Sequence, residues 1–450
     1  MSAPLLCLLA LLTGPQDLLL RGGGLFDGEE RVPNEGLLVR GGKIVNLEAG
    51  EAPGAGVVEL EDRWTILPGF FDLHAHHAVD LFERGRVDET VAMPRIFLAN
   101  GVTSAFSGGE VNPERMRELR LAIGRGELPG PRLYNSGPYF GRWRRGWRDD
   151  EVTSEQIIAE VDHWASLGVR GFKAKTIRAE HLTVLIERAH HHGLTVTGHL
   201  DSGFRGSVNP REAIHMGIDR IEHFLGGDGF PASRSAYASY LDFEADSDEF
   251  RDIARLYIEK GVYFDATMTA YGYYGERDPV VFEHWEDERS FLTPFTRELL
   301  AERPPRPPME LFERIYWHKR PLILAFVRAG GGHLVTTGSD HPSWGDWNQG
   351  FAIHRELHAL VLAGLTPAEA LRCATINGAR ALGVGDQLGS LDEGKLADLL
   401  VVAGDPLEEI TATRDVRWVV RGGVLHDARA LLDSARGKLG PASEAELEEW

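Results

Sequence analysis

The sequence predicts an α/β protein, a (β/α)8 barrel with a small composite β-sandwich domain made from both chain ends. Three observations carry this. Short strand-like and longer helix-like segments alternate between Ile66 and Gly383, the pattern of a parallel α/β domain, and eight such strands with helices outside make a barrel. The flanks differ: residues 17–21, 36–40 and 43–45 are short runs separated by glycine turns, with residues 397–402 and 416–425 as their expected partners. Metal-binding types of side chain recur near the ends of the inner strands, where such barrels gather their catalytic groups. The 450 residues, 43% hydrophobic, exceed one average domain and can furnish a large core. The expected division is 17–65 with 389–432 as the β-domain, 66–388 as the barrel and 433–450 as a tail.

The first inner segment is an apolar run with a Pro68-Gly69 break that ends in His74-Ala75-His76. Histidines at i and i+2 on a strand point to one face, so a single metal can bind both. Residues 168–175 read as a helix end running into a short strand that carries Lys173 and Lys175. The β-rich residues 194–199 follow a helix-like stretch from Ala179 to His192, which puts His199 at the C-terminal end of a fifth strand. His190, His191 and His192 then form the surface end of that helix. Residues 217–223 repeat the pattern and end in Glu222-His223, and residues 332–340 end in Gly338-Ser339-Asp340. An isolated Gly-Ser-Asp is most often a turn or cap; in series with four other such sites, it reads as a ligand. Thr366-Pro367-Ala368-Glu369 opens a later helix in capping-box form, with proline in the first turn.

Together these segments resemble the amidohydrolase superfamily over residues 17–432. The resemblance rests on the His-x-His pair after its Pro-Gly stretch, on Lys173, His199, His223 and Asp340 in that order, and on the closing runs 374–383 and 388–402. Gly-Val-x-Gly-Phe-Lys at 168–173 and Ile-Glu-His at 221–223 look most like the imidazolonepropionase-like and Xaa-Pro dipeptidase-like branch. There are two departures. Gly198 precedes His199 where a second histidine often stands, and the run from Thr176 lacks the usual glycine-rich continuation.

The resemblance implies a site with two divalent metal ions, for which zinc suits the histidine and carboxylate donors. His74, His76 and Asp340 would hold one ion, His199 and His223 the other. Lys173, rather than Lys175, would bridge them as a carbamate, because an unmodified ammonium has no lone pair to offer. Asp340 would also serve as the base in hydrolysis of an amide, cyclic amide or ester, dipeptides included. Two alternatives stay open. A mononuclear deaminase would use His74, His76, His199 and Asp340, with His223 as helper and no need for Lys173. A non-enzymatic binding protein on the same fold would be expected to lack ligands.

The arginine- and tryptophan-rich residues 142–148 follow the third-strand candidate, residues 132–139. Arg142, Arg144, Arg145 and Arg148 are there candidates for gripping a substrate carboxylate, or else partners of Asp149, Asp150 and Glu151 in a solvated loop. Residues 228–250 and 303–313 read as loops and insertions rather than catalytic pieces. A net charge of −20 opposes nucleic acid, and no run is long enough to span a bilayer. The expected partners are a small-molecule or dipeptide substrate and a second copy in a homo-oligomer. Residues 4–12 have the length of a signal-peptide core within a leader of residues 1–16, which favours a periplasmic or secreted protein, although no Lys or Arg precedes them. With only Cys7 and Cys373, no internal disulfide is expected once such a leader is removed.

Overall fold

In a computed structural model of the chain, the described residues are 14–81, 84–225, 231–302, 308–340 and 347–449. The leader-like residues 4–12 with Cys7 lie outside them, as do residues 228–230 and 303–307 of the two insertions.

The inner strands are parallel and fall into two hydrogen-bonded groups. One orders Arg132–Tyr134, Val102–Ser107 and Phe70–Ala75. The other runs Tyr139–Phe140, Gly171–Lys175, Thr195–His199, Arg220–Glu222, Tyr263–Asp265 and Val335–Thr336. The groups adjoin on both sides. The Leu73 N–H donates to the Thr337 carbonyl at 2.9 Å, placing the first inner strand beside the last, and Glu110 bridges Pro138 in parallel register. The order is that of a barrel-like α/β fold. Phe70–Ala75 and Val102–Ser107 are buried throughout, on both faces, as strands of a parallel sheet are.

Helix starts follow local chemistry. Thr153 with Gln156, Asn209 with Glu212, and Thr366 with Glu369 each form a reciprocal capping box, satisfying N–H groups that a helix leaves unpaired. The last of these is the box anticipated in the sequence. The helix Ala179–His191 ends in exposed histidines, and His190 and His192 are paired with Asp219 and Asp162 at 3.0 and 2.6 Å.

Strands from both ends of the chain form two further sheets. One orders Lys43–Asn46, Leu37–Arg40, Leu18–Arg21 and Gly56–Glu59; the other runs Val424–Asp427, Val416–Arg421, Leu399–Ala403, Trp64–Pro68, Gly24–Phe26 and Arg31–Val32. Leu18, Val39, Ile66, Leu399 and Val401 share one core. Three expectations need correction here. Residues 66–68, assigned to the barrel, belong to this flanking region, where Trp64–Pro68 pairs with Leu399–Ala403; the inner strands begin only after Gly69. Residues 17–21 and 36–40 pair with each other rather than with 397–402 or 416–425, and residues 43–46 join that part of the chain through the Lys43–Leu396 bridge, neighbouring backbone bonds and the shared core rather than as a paired strand. The third-strand candidate is two short pieces, Arg132–Tyr134 and Tyr139–Phe140, interrupted around Gly137 with φ +64°. Among the described residues no helix is long and apolar enough to cross a membrane, and Cys373 is a buried free thiol.

Candidate metal centre

Parallel inner strands present their C-terminal ends to one side, and the sequence candidates meet there. His74 and His76 stand at the end of Phe70–Ala75, and both Nε2 atoms approach Asp340 Oδ1, at 3.1 and 3.0 Å. Asp340 follows Val335–Thr336, 264 residues from His76 in sequence. His199 ends Thr195–His199, and its Nδ1 lies 2.9 Å from Nε2 of His223, which in turn lies 3.4 Å from Asp340 Oδ2. Lys173, 1% exposed, extends from Gly171–Lys175 to within 3.2 Å of His74 Nε2. All six candidate ligands therefore join one chain of contacts. Lys175, two residues on, instead lies under the Trp143 ring, its Nζ 4.0 Å from the centroid.

Three of the four histidines are held in the neutral form that can bind a cation. Burial pushes the His76 pKa down to about 3 and holds His199 and His223 well below the ordinary histidine value, leaving neutral rings with lone pairs. For Asp340 burial acts upward, but His74 and His223 more than offset it and keep the carboxyl well below its usual range. Burial acts against protonation of His74, yet Asp340 and Glu222 raise its pKa overall. The donor set fits divalent ions. Imidazole nitrogens and carboxylate oxygens converge in two groups, His74 with His76 and Asp340 and His74 with Glu222 and His223. His74 Nδ1 and Asp265 Oδ2 are also buried without hydrogen-bond partners among the described residues.

Supporting contacts fix these side chains. Asp72, on the same strand face as His74 and His76, accepts the N–H groups of His74 and Ser339, both at 3.1 Å, and the Ser339 hydroxyl. Gln349 accepts the His76 N–H at 3.0 Å and donates to Ser339 Oγ at 2.6 Å, so the turn carrying Asp340 is tied to the histidine strand. His223, Thr267 and Asp340 hold left-handed φ values of +70°, +43° and +37°, a conformation that costs about 1–3 kcal/mol per non-glycine residue. The contacts that hold them there are visible: Lys319 Nζ donates to the His223 carbonyl at 2.5 Å, Thr267 Oγ1 lies 2.7 Å from His223 Nδ1, and the Asp340 N–H donates to the His74 carbonyl at 3.0 Å.

Close packing needs glycine at position 108, where a Cβ would lie 2.3 Å from His74 Cδ2 and 2.9 Å from His76 Cε1. Gly108→Ala is therefore expected to displace the histidine pair and lower metal affinity by about 10- to 100-fold, read by chelator competition. Retained affinity would show that the pair can shift without loss.

His77, one residue beyond the pair, faces the Phe97 ring at 4.7 Å, and neither ring nitrogen has a partner among the described residues. Burial pushes its pKa down to about 3. The folded chain thus leaves His77 neutral at pH values where the unfolded chain protonates it. Stability that is fully present above pH ~6.5 is lost as pH falls toward ~3, by about 1.4 kcal/mol per unit. His77→Phe should flatten the pH dependence of the urea midpoint in that window; an unchanged slope would assign the dependence to other groups.

The arginine loop is mostly neutralised by its own acids. Arg142 pairs with Asp149, Arg144 with Glu160 at 2.6 Å and Arg148 with Glu151 at 2.8 Å, leaving only Arg145 of the four without an ion pair among the described residues. For three of the four these are the ion pairs expected of the solvated-loop alternative. Conversely, residues 228–250, read as non-catalytic, contain the short helix Ala236–Ser239, and Tyr237 Oη lies 2.8 Å from His199 Nε2.

Sequence reasoning also missed Glu222 and Asp265 as site residues. Glu222 is fully buried and ion-paired with Lys173, and both carboxylates lie 3.6 Å from His74 Nδ1. Both end inner strands, so the positional argument used for His199 could have found them. No local pattern marks Tyr237, which reaches the site from a long excursion.

Comparison with known proteins bears on the family and the fold. An imidazolonepropionase from Erwinia tasmaniensis is 31% identical over 142 residues, 30% of this chain and 29% of that protein. One from Deinococcus radiodurans is 39% identical over 97 residues, 20% of this chain and 24% of that protein. Each match thus spans less than a third of the relative. A solved Xaa-Pro dipeptidase with methionine bound in its active site has a TM-score of 0.65 at 20% identity, covering 91% of this chain and 100% of that one. Molinate hydrolase has a TM-score of 0.68 at 18% identity, covering 96% and 99%. At such identities these structures speak for the shared fold. The amidohydrolase family model matches residues 65–425, from the strand before the histidine pair to the returning sheet, and the chain belongs to that family.

Proposed function

We propose that this chain is a dinuclear metal-dependent hydrolase of amide, cyclic-amide or ester bonds in small substrates, dipeptides among them. In this reading the inner strands close as an eight-stranded barrel and the two flanking sheets form one composite domain. The observation that carries it is the convergence of His74, His76 and Asp340 within 3.0–3.1 Å, beside the His199–His223 pair, with Lys173 3.2 Å from His74. His74, His76 and Asp340 would hold one divalent ion and His199 with His223 the other, with Lys173, carboxylated, between them; zinc suits this set. When bound, the ions supply a water of lowered pKa and polarise the substrate carbonyl. Asp340, ionised and 22% exposed, accepts the water proton and returns it to the leaving nitrogen or oxygen. The Tyr237 hydroxyl, beside His199, donates to the carbonyl oxygen as charge develops there.

One observation favours a second reading. The Lys173 ammonium is directly paired with Glu222, and in that state it binds no metal. A mononuclear site built on His74, His76, His199 and Asp340, the deaminase-type alternative, would use the lysine this way. Metal analysis of protein purified without chelator, followed by a dipeptide and cyclic-amide screen, tests both. About two ions per chain with hydrolysis of some panel members is expected; one ion at full activity would favour the mononuclear site.

A further inference from the structure

A buried ion pair reaches the metal ligands through two hydrogen bonds. Arg355, on the helix Ala352–Leu362, is paired with Glu288 at the start of the short helix Glu288–Phe291, and neither side chain is more than 1% exposed. The Arg355 guanidinium stands 4.6 Å from the ring centroids of both Trp285 and Trp347, and it donates to Tyr273 Oη at 3.2 Å and to the Glu283 carbonyl at 3.1 Å. Glu288 uses its other oxygen to accept the Asn348 N–H at 2.7 Å, across 60 residues of sequence. Asn348 in turn caps the short helix Gln349–Phe351, its Oδ1 accepting the Gly350 N–H at 2.9 Å. The two residues before Gln349 are thus held by the pair, Trp347 by its ring and Asn348 by its N–H. Gln349 itself accepts the His76 N–H at 3.0 Å and donates to the Ser339 hydroxyl at 2.6 Å and the His74 carbonyl at 3.3 Å. His76 and the turn carrying Asp340 are therefore joined by a side chain whose own backbone is set from Glu288.

Stability alone does not account for the pair. A buried ion pair is often no more stabilising than apolar side chains of the same volume, because both charges must leave water. Apolar side chains cannot accept the Asn348 N–H, and a buried N–H left without an acceptor is unfavourable enough to pull the turn toward another one.

We infer that the Glu288–Arg355 pair is a positioning element of the metal centre: by fixing Asn348 it aims the Gln349 amide, and so sets how His76 and Asp340 meet. The inference rests on the metal-dependent reading above but not on the number of ions, since the dinuclear and mononuclear sites both use His76 and Asp340.

Two double variants separate the hydrogen bond from the charges. Glu288→Leu with Arg355→Met removes both the ion pair and the acceptor, whereas Glu288→Gln with Arg355→Met removes the ion pair and keeps an oxygen for Asn348. Zinc affinity is read by chelator competition. Hydrogen exchange of the metal-free protein, read by mass spectrometry, follows the peptide over residues 74–78 that carries the His76 N–H. The leucine variant is expected to bind zinc about tenfold more weakly and to exchange that N–H about tenfold faster, and the glutamine variant to recover most of both. Arg132→Met is the control. It breaks the Arg132–Asp398 pair, 2.7 Å long, at the start of an inner strand, and should lower the urea midpoint without moving either readout.

Circular dichroism establishes folding. Should the leucine variant fail to fold, Glu288→Asp, one methylene too short to span Arg355 and Asn348, takes its place with the same expectation. Native zinc affinity in the folded leucine or aspartate variant overturns the inference. An equal loss in the glutamine variant also overturns it, by assigning the effect to the missing charges, and an equal loss in Arg132→Met does so by assigning it to lower stability. A native protein that binds no zinc counts against the metal-dependent reading instead, and the exchange measurement then decides the positioning role by itself.

Discussion

Asp340→Asn should leave a folded, metal-binding protein whose kcat/KM is lower by about 10³- to 10⁴-fold, the upper part of the range for losing a general base. The asparagine keeps one oxygen for a ligand role, but its amide cannot accept a proton. It also puts an N–H₂ where His74, His76 or His223 now meets a carboxylate oxygen at 3.0–3.4 Å. Folding should survive because asparagine is among the few residues that tolerate the left-handed φ of +37° at this position. Steady-state kinetics with parallel circular dichroism checks this. Turnover within tenfold of the native protein would remove Asp340 from the proton-transfer role.

Lys173→Met should have the next largest effect, because it acts on both metal content and stability. In the dinuclear reading, the variant retains about one divalent ion per chain rather than two, and a carbon signal from labelled bicarbonate seen in the native protein disappears. In the ion-paired state, methionine leaves Glu222 buried without its cation. Breaking one half of a buried pair costs about 3–5 kcal/mol, so the metal-free variant should unfold at markedly lower denaturant. Elemental analysis and urea titration measure the two effects separately. If Lys173→Met holds as many ions as the native protein and turns over as fast, the bridging role is wrong; where that number is one, the mononuclear site stands.

Much of the centre was legible because its signals are local. The i, i+2 spacing places His74 and His76 on one strand face whatever surrounds them, and the Thr366–Glu369 capping box forms from residues three apart. His199, His223 and Asp340 each follow an apolar strand-like run, and parallel strands put such positions at one end. The choice of Lys173 over Lys175 came from resemblance; the structure shows the physical difference, with one amine within 3.2 Å of His74 and the other under Trp143. The arginine loop was less legible, because composition shows cations but not their partners, and Asp149, Glu160 and Glu151 meet three of the four.

By itself, then, the sequence determined the types of donor, their order along the chain and the parallel α/β alternation that brings them to one end, because strand and helix periodicities are set within a few residues. Only the tertiary structure decided which charges remain available there. Glu222 meets Lys173 across 49 residues, and Tyr237 reaches His199 from an excursion read as loop. Such pairings depend on which strands become neighbours and on how far burial excludes water. Both follow from the packing of the whole chain, and no local window contains them.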